Sequence, residues 1–175
     1  FRSRYANLQG YNSKISHMEK LIQDGTQGLY FNNTYQTIVT DSAASATQMA
    51  TGALSTPETI GLDYKGERVE TLLELAQKKG KSVGVISDAY VTDATPACFT
   101  AHTAKRGNKR EIARQQIEMG VDVISGGGLK YFNTDENKDL LKQAQAKGYQ
   151  VALDRKELDK VTSGKLLGLF SEAGM

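Results

Sequence analysis

Apolar residues along the chain fall into stripes of helical spacing and short runs of strand length. Ile15, Met18, Leu21 and Ile22 share one helical face ahead of Gly25. Thr37, Ile38, Val39 and Thr40 predict a short buried strand that runs directly into Asp41 and Ser42. Residues 43–50 predict a helix, with Gly52 placed to end it. Val69, Leu72, Leu73 and Ala76 form a second helical stripe, closed by Gly80, and residues 83–87 predict the next strand. Thr95 and Pro96 make a helix start, because Thr can cap free amides and Pro fits the first turn; this helix runs through Cys98, Phe99 and Ala101. Residues 109–119 predict another helix, ended by Gly120, and residues 121–124 a strand running into Gly126, Gly127 and Gly128. A polar helix over 137–147, a strand over 149–151 and a last strand over 166–170 complete the pattern.

Alternating strands and helices predict an α/β fold, a mostly parallel sheet flanked by helices. In such sheets ligands gather beyond the carboxyl ends of the strands. Three predicted strands end in residues able to do chemistry: Asp41-Ser42, Ser87-Asp88 and the glycine triplet. The stretch 52–66, with Gly52, Pro57, Gly61 and Gly66, reads as a long loop and not as an interdomain linker. A chain of 175 residues suffices for one domain with its own core. Its 22 basic and 20 acidic residues form no basic stripe, which argues against nucleic acid as a partner. No apolar run approaches the ~20 residues of a membrane span. The single Cys98 cannot form a disulfide within the chain.

Among the candidate chemical groups, Asp41-Ser42 leads. A serine at a strand-to-helix turn sits where free amides and the helix dipole favour an anion, and the small residues Ala43, Ala44, Ser45 and Ala46 allow close approach. No His lies nearby to act as base, so metal activation is the natural alternative. The plain structural reading is that Asp41 or Ser42 caps a helix. Asp93 and Thr95 offer two hard oxygens suited to Mg²⁺, with a helix cap again the competing role. Arg106 has the planar fork that grips two phosphate oxygens, though an arginine in a basic loop is ordinarily solvated surface. His17 and His102 lack metal-ligand spacing and read as structural or surface residues. The glycine triplet has neither G-x-G-x-x-G spacing nor a P-loop Lys, and reads as a tight turn. No G-x-S-x-G surrounds Ser42.

Taken in order and spacing, these segments are more specific than any one alone. Asp41-Ser42 with its Ala/Ser/Thr run resembles the nucleophile signature of alkaline phosphatases. Residues 93–97 (Asp-Ala-Thr-Pro-Ala), followed by Ala101-His102 and Arg106, resemble the magnesium-and-arginine segment of that family. Residues 121–124 with the glycine triplet, Tyr131 and Phe132 resemble a downstream family segment, and residues 167–170 carry a looser echo.

The resemblance implies phosphate monoester hydrolysis through a phosphoserine on Ser42, which would also touch one of two zinc ions. Arg106 would clamp two phosphate oxygens and Asp41 would hold that arginine. Thr95 would ligate magnesium, with Asp93 contacting the metal or its waters; some relatives carry His at that position. The resemblance also implies phosphate monoesters and inorganic phosphate as ligands, a homodimer, and export to the periplasm or exterior. The family's aspartate ahead of the nucleophile, its Asp and His zinc ligands and its magnesium Glu have no counterpart in 1–175. The chain is therefore expected to be a partial catalytic domain, inactive alone. A non-catalytic anion-binding or structural fragment is the competing reading, and a sulfatase or mutase relative a third.

Overall fold

The computed structural model describes residues 17–133 and 140–175. The chain divides into two units, Phe1–Phe31 and Asn32–Met175. In the first, helix α1 spans His17–Asp24, and the Gly25 amide donates to the Leu21 carbonyl to close its last turn. Met18, Leu21 and Ile22 of the expected apolar face are exposed there. Ile15 lies outside the described residues.

The second unit is built on four parallel strands: β1 (Gly84–Tyr90), β2 (Val123–Gly127), β3 (Tyr149–Ala152) and β4 (Lys165–Leu169), in the order β1-β2-β4-β3. The helices α2 (Ser42–Thr51) and α3 (Leu72–Lys78) precede β1. Helices α4 (Ala94–Cys98) and α5 (Lys109–Met119) connect β1 to β2, α6 (Leu140–Ala146) connects β2 to β3, and α7 (Arg155–Leu158) connects β3 to β4. This is the parallel, helix-flanked sheet that the alternation predicts. Val85, Ile124, Leu167 and Leu169 from the strands pack with Ile117, Phe132 and Leu140 in the main apolar core. Each such fully buried side chain contributes about 1.5–3 kcal/mol.

Four expectations are corrected. Residues 37–40 do not form a buried strand: Ile38 is 92% and Val39 83% exposed, and Thr37 makes only a local bridge to Thr34. A strand is stable only beside another, and among the described residues no strand lies against this segment. Secondly, the glycine triplet is not simply a turn. Gly126 and Gly127 end β2, where added Cβ atoms would fall 2.4 Å from the Ser87 carbonyl oxygen and 2.1 Å from that of Ala173. Only Gly128, at φ +100°, is the turn residue. Thirdly, Val69 precedes α3, and Leu72 is half exposed. Thr71 caps that helix through a capping box with Glu74. Fourthly, Thr95 does not cap α4; Asp93 occupies the cap position and Thr95 sits exposed inside the first turn. The start of the polar helix expected at 137–147 falls partly outside the described residues; its described part is α6.

A second, small-residue core positions the functional groups. Ala43 and Ala46 of α2 pack with Ala94, Ala97 and Cys98 of α4, joined by Ile60, Ala101 and Ile112. With methyl groups in place of long side chains the two helices approach closely, so their leading ends lie near one another. The loop 52–66 is drawn against them. Ile60 and Thr103 exchange backbone hydrogen bonds of 2.9 Å each, and Gly61 (φ +62°) has room for no Cβ, which would stand 2.3 Å from the Ala101 oxygen. Among the described residues, no helix is long and apolar enough to cross a membrane.

Candidate active site

The leading ends of α2 and α4 each carry an aspartate at the cap position, Asp41 and Asp93. Asp41 caps α2 directly: Oδ1 accepts from the Ala44 amide at 3.0 Å and Oδ2 from the Ala43 amide at 3.2 Å. Ser42 is the first residue of the helix and is exposed. Arg106 follows α4 in the chain, and its guanidinium bridges the two aspartates. Nη1 donates to Ser42 Oγ at 2.7 Å and to Asp41 Oδ2 at 3.3 Å, while Nη2 donates to Asp93 Oδ1 at 3.3 Å. The structure thus brings together Asp41, Ser42, Asp93 and Arg106. Thr95 lies two residues past Asp93, exposed in the first turn of α4.

Two further groups build this cluster, and the sequence did not single out either. Glu58 has a left-handed backbone (φ 65°), its carbonyl accepts from the Arg106 amide at 2.7 Å, and its own amide lies against the Asp41 carboxylate. It clips the loop 52–66 to both ends of the Asp41–Arg106 pair. Lys109, the first residue of α5, donates to Asp93 Oδ1 at 2.7 Å and to the Thr92 carbonyl at 3.2 Å. A visible signal existed for Lys109, since a cation at a helix N-terminus opposes the helix dipole and calls for a compensating partner.

Electrostatics keep the cluster charged. Burial pushes the Asp41 carboxyl up, but the amides of Ala44, Ala43 and Glu58 and the Arg106 guanidinium outweigh it and hold the group below its usual range. Burial likewise pushes Asp93 up, and Lys109, the nearby Ala94 amide and Arg106 outweigh it, so that carboxyl too is held low. Burial disfavours the Arg106 cation, yet Asp93, Glu58 and Asp41 together raise its pKa further. Cys98 is no rival nucleophile. Burial pushes its thiol to about 11, and it donates to the Ala43 carbonyl at 3.1 Å. His102 is structural, as expected: its ring contacts the Gly61 carbonyl at 2.7 Å and Glu74 at 3.1 Å.

The donor set decides which metals these residues could hold. Asp93 and Thr95 supply a carboxylate and a hydroxyl, both hard oxygens of the kind Mg²⁺ prefers. Zinc asks for three or four His, Cys, Asp or Glu ligands. Among the described residues, no group of three or more of those side chains is placed to hold a metal. The described residues fit a part of a magnesium site and do not by themselves make a zinc site. Chemically, the cluster offers an exposed hydroxyl at a helix N-terminus beside a fixed guanidinium, an arrangement suited to a phosphoryl group.

Comparison with known proteins bears on the family of the chain. The family model for alkaline phosphatase matches residues 3–175. Alkaline phosphatase 3 of Bacillus subtilis is 36% identical over 185 aligned residues, which cover 100% of this chain and 39% of that protein. Among solved structures, the alkaline phosphatase of Thermus thermophilus superposes with a TM-score of 0.89 at 30% identity, over 98% of this chain and 37% of the other. A variant alkaline phosphatase from the Antarctic bacterium TAB5, carrying Asp in place of a His and with Mg bound in its M3 site, superposes with a TM-score of 0.82 at 27% identity, over 99% of this chain and 50% of that one. The chain therefore spans about two fifths of the length of the Bacillus relative, and it belongs to the alkaline phosphatase family.

Proposed function

We propose that residues 1–175 are part of a single catalytic domain and supply the nucleophile and phosphate-binding arginine of a metal-dependent phosphomonoesterase. The observation that carries this reading is the Arg106 guanidinium, held between the caps of two helices with one nitrogen 2.7 Å from Ser42 Oγ. Ser42 Oγ attacks phosphorus, the bond from phosphorus to the ester oxygen breaks, and the alcohol leaves with a proton. Water then cleaves the phosphoserine to release inorganic phosphate. Arg106 lends two charge-assisted hydrogen bonds to phosphate oxygens, and Asp41 and Asp93 hold its plane in position.

Asp93 and Thr95 would hold magnesium, which when bound supplies positive charge beside the reacting group. Two zinc ions per complete chain, one of them against Ser42, belong to the same proposal. Their other ligands must come from elsewhere in the full-length protein, given the coverage of the relatives. The resemblance to the family supports phosphate monoesters as substrates, a homodimer, and export to the periplasm or exterior.

The full-length protein supplied with zinc and magnesium should hydrolyse an aryl phosphate and lose that activity to a chelator. Arg106→Ala should weaken inhibition by inorganic phosphate and lower kcat/KM without abolishing turnover. Binding of phosphate with no turnover in the metal-loaded protein would instead favour a non-catalytic anion-binding role.

A further inference from the structure

Lys109 has no part in the proposed reaction, yet its placement is costly. It is the first residue of α5, where the helix dipole disfavours a cation, and its side chain is only 15% exposed. Its ammonium is held by Asp93 Oδ1 at 2.7 Å, by the Thr92 carbonyl at 3.2 Å, and by the face of Tyr90 at 6.0 Å. The same Asp93 oxygen also accepts from Arg106 Nη2, at 3.3 Å. Two cations therefore share one carboxylate oxygen, and the shorter bond belongs to the lysine.

We propose that Lys109 is a positioning residue for phosphate binding, which acts by limiting the hold of Asp93 on Arg106. This rests on Arg106 being the phosphate-binding arginine. With Lys109 present, Asp93 is largely neutralised and Arg106 stays between the two caps, its Nη1 on Ser42 and Asp41. Without Lys109, the Asp93 oxygen that the two cations share is left to Arg106, with magnesium the same in both cases, and it draws the guanidinium toward α4, away from Ser42. Among the side chains alone, the local balance also changes from two anions with two cations to two anions with one. Both changes oppose a phosphate dianion, but only the first acts through Asp93.

Calorimetric titration of the full-length, metal-loaded protein with inorganic phosphate tests this, with magnesium saturating, metal content checked and a thermal melt on every variant. Lys109→Met should weaken phosphate binding about tenfold, within the range for coupled neighbours. Lys109→Arg should restore most of it. In an Asp93→Asn background, Lys109→Met should change the affinity less than about twofold, because the carboxylate charge it restrains is gone. Lys109→Gln stands in for the Met variant if the latter melts early. An equal loss in both backgrounds would mean a direct field effect on phosphate, and no loss would mean a plain structural ion pair; either overturns the proposal. Arg106→Ala separates the two levels. If it leaves phosphate affinity intact, the phosphate-binding reading itself fails; if it weakens binding while Lys109→Met does not, only the positioning role fails.

Discussion

At the residue scale, Asp41 carries two roles that the sequence posed as alternatives. One oxygen caps α2 while the other accepts from both an amide and Arg106. An ionised carboxylate has about four acceptor sites, so capping and arginine-holding coexist. Because the Asp41 pKa is depressed on folding, its unfolded state binds more protons, and the associated stability is fully present above the ordinary value of 3.8 and lost as pH falls through the folded one. Asn is a good cap but carries no charge. Asp41→Asn should therefore cost about 1 kcal/mol near neutral pH, since Asp41 and Arg106 are only partly buried. That gap should close as pH falls below 3.8, which urea melts across pH 2.5–7 would read. A gap that does not change with pH would assign the whole effect to the cap. The meeting of Asp41 with Arg106 was legible because the family motif names both positions. Glu58 was not, because its role depends on a distance across the fold; for Lys109 the local signal of a cation opening a helix was present, but not the partner it meets.

At the element scale, Gly52 and Gly120 end their helices at φ +72° and +75° as the sequence predicts, and α5 has the expected bounds. Local signals settle such ends, because left-handed backbone strongly favours glycine. The segment 37–40 departs from its pattern for the opposite reason: strand composition is local, but strand formation needs a neighbour. Either Asp93 or Thr95 has a side chain able to open α4, and in the structure Asp93 holds the cap position. An exposed Thr95 inside the first turn should tolerate Thr95→Val within about 0.5 kcal/mol, whereas a true cap loses about 1 kcal/mol. Thr95→Val in the full-length protein should therefore raise the magnesium concentration needed for activity with almost no shift in the thermal melt. A lowered melt with unchanged magnesium dependence would return Thr95 to a structural role.

At the scale of the whole molecule, the methyl-lined contact between α2 and α4 sets how far apart Asp41 and Asp93 stand, and Arg106 fills the interval between them. The site is thus a product of packing, with its charges arranged on a small-residue core. Composition and periodicity sufficed to foresee the parallel sheet, because hydrophobic patterning decides fold class. They could not foresee which aspartate shares its charge with which cation. Acid trapping reads directly whether Ser42, as proposed, takes the phosphoryl group. The full-length, metal-loaded protein is exposed to labelled inorganic phosphate, quenched at low pH and mapped by mass spectrometry. Label is expected on Ser42 alone, and none in Ser42→Ala, whose metal content should be nearly unchanged. Absence of label in the unaltered protein, or label on another residue in Ser42→Ala, would contradict it.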